Sequence, residues 1–105
     1  MTEELAVRCF ELISTAGDAR SSFIEAIQSA KEGDFEGANR LMEQGHMAFS
    51  KGHEVHLDML TAEANGKSES CLLLMHAEDQ MMSAESFGIL AEQFIDLYQT
   101  LHEKQ

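Results

Sequence analysis

The sequence contains no proline and no tryptophan, and tyrosine occurs only once in 105 residues. Proline is the residue that interrupts helices most strongly, so its absence leaves long helices open throughout the chain. The residues that are abundant instead, among them alanine, glutamate, leucine, methionine and glutamine, favour helix over strand. We therefore predict an all-α fold, and the length suits one domain over residues 1–105.

Positive charge is scarce: 7 Lys and Arg residues stand against 19 Asp and Glu residues, so the formal net charge is −12. A chain of that sign repels phosphate backbones and anionic lipid headgroups. No run approaches the roughly 20 apolar residues of a membrane span, and the first residues, Met-Thr-Glu-Glu, do not resemble a signal peptide. We expect a cytoplasmic protein that neither binds nucleic acid nor inserts into a membrane.

Cysteine is nearly absent, with only Cys9 and Cys71 in the chain. The two residues are far apart in sequence and fall on apolar positions of separate predicted helices. Reduced thiols in the core are therefore expected rather than a disulfide.

Apolar residues recur in steps of three and four along most of the sequence, which is typical of amphipathic helices. We predict helix 1 over about 3–32, helix 2 over about 35–65 and helix 3 over about 69–103. A break near Gly17 is expected in helix 1, because glycine lowers helix propensity and the following Asp18 favours a cap.

The predicted helices are separated by short turns. Thr2 and Asp34 are the expected N-caps of helices 1 and 2, Gly33 suits the left-handed position between them, and Ser68 or Ser70 can cap helix 3. Turns of this length force neighbouring helices to be antiparallel. The prediction is an up-down-up antiparallel three-helix bundle, similar to a spectrin repeat.

Two features of the apolar residues point to close packing and to assembly. Gly45 and Gly52 lie on the apolar stripe of helix 2, where close approach of another helix is the simplest explanation for them. Helix 3 carries more apolar surface than one three-helix bundle can readily bury, because Leu74 and Met75 extend beyond its stripe and Met81-Met82 add further surface. Self-association is therefore expected.

Polar side chains interrupt the apolar stripe of helix 3. At about 100° per residue, His76 points in nearly the direction of Phe87 and Phe94, with Asp79 and Gln80 on either side of that line. Burial of these polar groups without partners would be costly. They are therefore candidate functional residues: a reactive histidine, an ion bound by Asp79, or a surface for a partner.

Other interpretations of these residues stay open on spacing alone. His76 fits a core histidine bonded to a backbone carbonyl, and Asp79 fits a carboxylate paired with a cation. Arg20 is either a phosphate ligand or the structural partner of an acidic neighbour. The pattern Glu43-x-x-His46 is typical of di-iron bundles but occurs once instead of twice, so a di-iron site is not expected. The alternative function is a non-catalytic adaptor that binds partner helices through the apolar face of helix 3.

Three motifs in this order resemble the lactose/cellobiose-type enzyme IIA of the bacterial sugar phosphotransferase system: His-Ala-Glu-Asp-Gln-Met-Met at 76–82, Gly-Asp-Ala-Arg-Ser at 17–21 and Glu-Gly-Asp-Phe at 32–35. The resemblance covers nearly the whole chain and implies a homotrimer of three-helix subunits. It implies that His76 takes a phosphoryl group from the phosphocarrier HPr and passes it to a cysteine of a IIB component during uptake of a disaccharide such as cellobiose, chitobiose or lactose. It also implies that three copies of Asp79 meet around a metal ion, commonly assigned as magnesium, at the trimer axis.

The sequence departs from the usual pattern of that family at two places. Gln80 stands where a second histidine is usual, and His56-Leu57 stand where Gln-Thr is usual. Gln80 can donate a hydrogen bond but cannot titrate. We therefore take Gln80 and His56 together as candidate residues of the His76 pocket.

Overall fold

A computed structural model describes residues 2–66 and 71–105 of the chain. These residues form three α-helices, α1 (Glu3–Lys31), α2 (Phe35–Ala64) and α3 (Leu72–Glu103). They pack as a narrow bundle whose Cα atoms span 58 × 19 × 17 Å. The predicted all-α, up-down-up three-helix architecture is confirmed. In the part of the chain that is described, no helix has the length and apolar character needed to cross a membrane.

The first two helices begin at the predicted caps. The Thr2 hydroxyl accepts a hydrogen bond from the Leu5 amide at 3.1 Å, and the Asp34 carboxylate accepts one from the Gly37 amide at 2.9 Å. These contacts satisfy amide groups that have no partner within the helix. Gly33 has φ = +86°, a conformation that glycine adopts without strain. The turn between α1 and α2 is thus set by local sequence, as predicted.

The predicted break near Gly17 is wrong, since α1 is continuous from Glu3 to Lys31. Glycine or aspartate inside a helix costs up to about 1 kcal/mol. Ala16 and Ala19 on either side are fully buried, so a break would move both out of the core. Packing of the flanking turns therefore outweighs the poor local propensity.

The start of α3 differs from the sequence prediction. The expected start at about residue 69 and the expected caps Ser68 and Ser70 lie outside the described residues. Within them, Cys71 is the N-cap of α3, and its Sγ accepts a hydrogen bond from the Leu74 amide at 3.4 Å. Cys71 is therefore a capping residue and not an apolar position inside a helix, whereas Cys9 is fully buried as expected.

The core is centred on α1, which packs more extensively against α2 and α3 than those two helices pack against each other. The Phe23 ring of α1 fills the narrow space between Gly45 of α2 and Gly88 of α3. A Cβ atom added to Gly45 would lie 2.4 Å from Cε1 of Phe23, and one added to Gly88 would lie 3.0 Å from the same ring. At Gly52, it would lie 2.5 Å from Oγ1 of Thr15. The predicted close approach at both helix 2 glycines is confirmed.

Candidate functional site

His76 lies in the second turn of α3 and is exposed to solvent. The sequence placed it on the stripe that packs into the bundle, and that placement is wrong. The core side of α3 lies about 100° further round the helix. The residues that α3 buries are Ala77, Met81, Ala84, Gly88, Ala91 and Ile95. His76 is therefore not a core histidine, and its imidazole is accessible to another protein.

The stripe that contains His76 forms a second apolar face of α3, directed away from the bundle. Its members keep large exposed fractions, for example 51% for Leu97 and 44% for Phe94. We call this surface the outer face; it comprises Leu72, His76, Asp79, Phe87, Leu90, Phe94, Leu97 and Leu101. Exposed apolar surface of this extent on one helix is typical of an interaction site. The functional candidate is thus set in a surface suited to contact with other chains.

Asp79 lies on the outer face, in line with Leu90 and Leu97, which follow it by almost whole numbers of helical turns. Among the described residues, no Lys or Arg nitrogen lies within 4.0 Å of its carboxylate. The same part of the chain contains no group of three or more His, Cys, Asp or Glu residues arranged to hold a metal. Among the described residues of one chain, Asp79 therefore offers a single carboxylate as a ligand for a metal ion.

Gln80 lies one helical turn after His76 on the same side of α3, partly buried against α1. Its Oε1 accepts a hydrogen bond from Nη1 of Arg20, a half-buried residue of α1. The structure thus brings three of the sequence candidates, His76, Gln80 and Arg20, to one place. The acidic partner that the structural interpretation of Arg20 required is not found among the described residues, since Arg20 has no carboxylate oxygen within 4.0 Å there.

His56 is not brought to His76 within the chain. Its Nε2 lies 2.9 Å from Oε2 of Glu78, and Glu78 is about 200° round α3 from His76. The pair lines a cleft of about 510 Å³ between the start of α1, the end of α2 and the start of α3. Arg8 and Asp58, joined at 3.4 Å, line the same cleft. Sequence reasoning missed Glu78 and Arg8, because their partners lie on other helices.

The remaining histidines make separate contacts. His46 Nε2 lies 3.2 Å from Oε1 of Glu92. The imidazole of His46 also packs against the Phe23 ring in a T-shaped arrangement. His53 stacks on Phe49 of its own helix. None of these contacts repeats the paired Glu and His arrangement of a di-iron bundle.

Burial raises the pKa of the Cys9 thiol above its ordinary value, and the neighbouring Cys71 and Glu78 raise it further. A raised pKa keeps the thiol protonated and unreactive. Both cysteines are free thiols. The expected reduced core thiol is confirmed for Cys9, and this cysteine is not a nucleophile of the site.

Over most of its length, the chain is similar to proteins of one family. A family model described as "PTS system, Lactose/Cellobiose specific IIA subunit" matches residues 7–99. The lichenan-specific phosphotransferase enzyme IIA component of Bacillus subtilis is 36% identical over 106 residues, covering 100% of this chain and 96% of the relative. The lactose-specific EIIA component of Staphylococcus aureus is 33% identical over 97 residues, covering 91% and 94%.

Solved structures give the same picture. The cellobiose-specific enzyme IIA from Bacillus anthracis superposes with a TM-score of 0.94 at 37% identity, covering 100% of this chain and 96% of that one. The IIA(Chitobiose) protein of the N,N'-diacetylchitobiose branch of the Escherichia coli phosphotransferase system, solved in complex with HPr, superposes with a TM-score of 0.84 at 33% identity. That comparison covers 96% of this chain and 99% of the other. Similarity therefore extends over the whole bundle, including the turn that carries His76.

Proposed function

Because this chain belongs to the lactose/cellobiose-specific IIA family of the sugar phosphotransferase system, we propose that it is a cytoplasmic phosphocarrier with His76 as its phosphoryl acceptor. His76 takes the group from phospho-HPr and gives it to a cysteine of a IIB component during uptake of a disaccharide such as cellobiose, chitobiose or lactose. The observation that carries the proposal is the exposure of His76 on an apolar face, within reach of a docking protein. The structure of a 33% identical relative in complex with HPr supports this choice of donor.

The chemistry requires one unprotonated ring nitrogen. Its lone pair forms the new bond from nitrogen to phosphorus while the bond from phosphorus to the donor breaks, and that electron pair returns to the donor atom. In the second transfer a cysteine thiolate attacks phosphorus, and the bonding pair returns to the ring nitrogen of His76. The other ring nitrogen keeps its proton in both steps, so the protein needs to supply position and charge rather than proton transfer.

The proposal predicts phosphorylation of one residue. Wild-type protein, incubated with phosphoenolpyruvate, enzyme I and HPr, should gain one phosphoryl group that is lost in acid and retained in base. Intact-mass spectrometry before and after acid treatment measures this. His76→Ala should fold normally, because an exposed side chain is removed, and should gain no phosphate. Labelling should fall by at least about 1,000-fold, since the nucleophile itself is absent.

The matched control is His102→Gln, which removes an exposed histidine near the far end of α3. It should be labelled as the wild type is. Normal labelling of His76→Ala would contradict the assignment. Absence of labelling in all three proteins would instead favour the adaptor function, in which the outer face binds partner helices without group transfer.

We extend the proposal to assembly as a homotrimer in which the outer faces meet along the line of Asp79, Leu90 and Leu97, while His76, about 60° round the helix from that line, lies at the edge of the contact. The support is the exposed apolar stripe on α3 and the position of Asp79 in line with Leu90 and Leu97. Three copies of Asp79 around a threefold axis offer oxygen ligands of the kind that Mg²⁺ or a similar divalent cation prefers. The ion supplies positive charge there, and Asp79 supplies the ligand atom.

A further inference from the structure

Arg20 holds a positive charge that no neighbouring carboxylate among the described residues cancels. Its guanidinium is half-buried at the edge of α1 and donates a hydrogen bond to the Oε1 atom of Gln80. Within residues 2–66 and 71–105 no carboxylate oxygen lies within 4.0 Å of it, although the chain has 19 acidic residues. A neutral amide fixes the position of a guanidinium without reducing its charge. A cation held in this way is available for an anionic ligand.

The position of Arg20 relates it to His76. Gln80 follows His76 by four residues, so the two side chains are neighbours on the surface of α3. Arg20 therefore contacts the residue that follows His76 by about one helical turn. Asp79 lies on the other side of the same line, where three carboxylates and one divalent ion would keep a net charge of about −1 and still repel a dianion on His76. A phosphoryl group there needs a cation on the opposite side, and Arg20 is placed to provide it.

We propose that Arg20 binds the phosphoryl group carried by His76, and that Gln80 is the positioning residue that holds the guanidinium ready. This inference rests on the proposed function of His76. One N–H group of Arg20 is used by Gln80, and four remain to donate hydrogen bonds to phosphoryl oxygens. Arg20 exchanges no proton with the group. It lowers the free energy of the negative charge on the oxygens while the bond to His76 forms and breaks.

A charge-matched set of variants tests the inference. Arg20→Gln removes the cation, Gln80→Glu keeps the contact but cancels the charge, and Arg40→Gln removes an equal charge from an exposed site on α2. Each protein is phosphorylated with phosphoenolpyruvate, enzyme I and HPr. The rate of labelling is measured, and the pKa of the phosphoryl group is read from a ³¹P NMR titration.

The expected result separates the site variants from the control. Labelling of Arg20→Gln and Gln80→Glu should be slower by about 100-fold or more, the usual effect of removing one donor to a developing anion. The pKa of their phosphoryl group should rise, because loss of the cation favours the protonated form. Arg40→Gln should match the wild type in both measurements. A purely structural role for Arg20 would leave the phosphoryl pKa unchanged.

Two outcomes would overturn the inference. One is a phosphoryl pKa in both Arg20→Gln and Gln80→Glu that equals the phosphoryl pKa of Arg40→Gln. The other is an equal labelling rate in the wild type and all three variants. Gln80→Glu decides the question if Arg20→Gln does not fold, since it retains Arg20. If the wild-type protein gains no phosphate on His76, the proposed function is wrong. That result differs from the two outcomes that would contradict only the inference about Arg20.

Discussion

Exposure of His76 changes the reason for regarding it as functional. His76 became a candidate because its place in an apolar stripe implied a free-energy cost of burying the imidazole. The side chain is exposed, however, and has no such cost. The motif from His76 to Met82, compared with a known family, is what identified the residue. The helical spacing of apolar residues identified the stripe on α3 but did not show whether the stripe faces the core or the solvent.

Side-chain partners on different helices were the least predictable feature at the residue scale. Arg20 and Gln80 are 60 residues apart in sequence, and His56 and Glu78 are 22 apart. The register of one helix against another decides such pairs, and a single sequence does not specify it. A structural pair with an acidic neighbour was one of the two interpretations of Arg20, whereas its partner on α3 is the neutral Gln80.

Cys9 gives a testable dependence of stability on pH. The pKa of its thiol is raised in the folded protein, chiefly by burial, whereas the unfolded chain ionises near the ordinary value of about 8.5. Above that pH the unfolded state binds fewer protons than the folded state, so the free energy of unfolding should fall as pH rises. Urea denaturation at about pH 7 and about pH 10 measures the fall.

The control for this prediction is Cys9→Ala. Its truncation should lower the free energy of unfolding by about 1 kcal/mol at about pH 7, as is common for core substitutions. It should also have a smaller alkaline loss than the wild type, because the titrating group is absent. An equal alkaline loss in both proteins would show that the thiol does not contribute.

At the scale of the helix, α1 and α2 were predictable because each has one apolar face. Their buried residues follow the expected stripes, from Cys9 to Ala30 on α1 and from Ala38 to Gly52 on α2. Helix α3 has two apolar faces, one packed into the core and one exposed. The spacing of apolar residues alone does not show which of the two faces packs into the core. The small residues Ala84, Gly88 and Ala91 mark the core face of α3, because a helix that approaches closely needs small side chains there.

Gly45 tests this close approach of helices. Gly45→Ala should lower the free energy of unfolding by about 1–3 kcal/mol, the usual effect of overpacking. The added Cβ would lie 2.4 Å from Phe23, whose ring is 1% exposed and is also confined by Gly88. The ring therefore has little room to move away. Urea denaturation followed by circular dichroism measures the change.

Gly17→Ala is the matched control, with the same atoms added to the interior of α1. Apart from its chain neighbours and the nearby backbone of its own helix, its Cβ would have no described atom within 4 Å. Alanine is the better helix former, so the free energy of unfolding should rise by up to about 1 kcal/mol. A gain in stability for Gly45→Ala as well would mean that packing around Phe23 adjusts without cost.

At the scale of the whole molecule, the outer face contains both the proposed phosphoryl acceptor and the proposed contact between subunits. The apolar side chains from Phe87 to Leu101 that a single subunit leaves exposed lie on the same stripe as His76 and Asp79. Contacts between subunits along that stripe would bring each His76 near another copy of the chain. The proposed phosphoryl site and the proposed trimer interface are therefore expected to respond to the same substitutions.

Asp79 allows the contribution of a metal ion to assembly to be measured. Three carboxylates at one axis repel each other unless a cation lies between them. Asp79→Leu replaces them with apolar side chains that suit the surrounding face, so this variant should form a trimer at least as stable as the wild type. Removal of metal with EDTA should weaken the wild-type trimer by about tenfold or more in its dissociation constant, and should leave the variant unchanged.

Size-exclusion chromatography with light scattering, over a dilution series with and without EDTA, measures both dissociation constants. Added Mg²⁺ should restore the wild-type trimer, while Asp79→Asn, which is neutral but polar, should lose the response to Mg²⁺ without gaining apolar contact. A monomeric Asp79→Leu protein would mean that the ion is required for assembly and does more than offset repulsion between carboxylates. If EDTA leaves the dissociation constant of the wild-type trimer unchanged, a metal ion bound by Asp79 does not contribute to assembly.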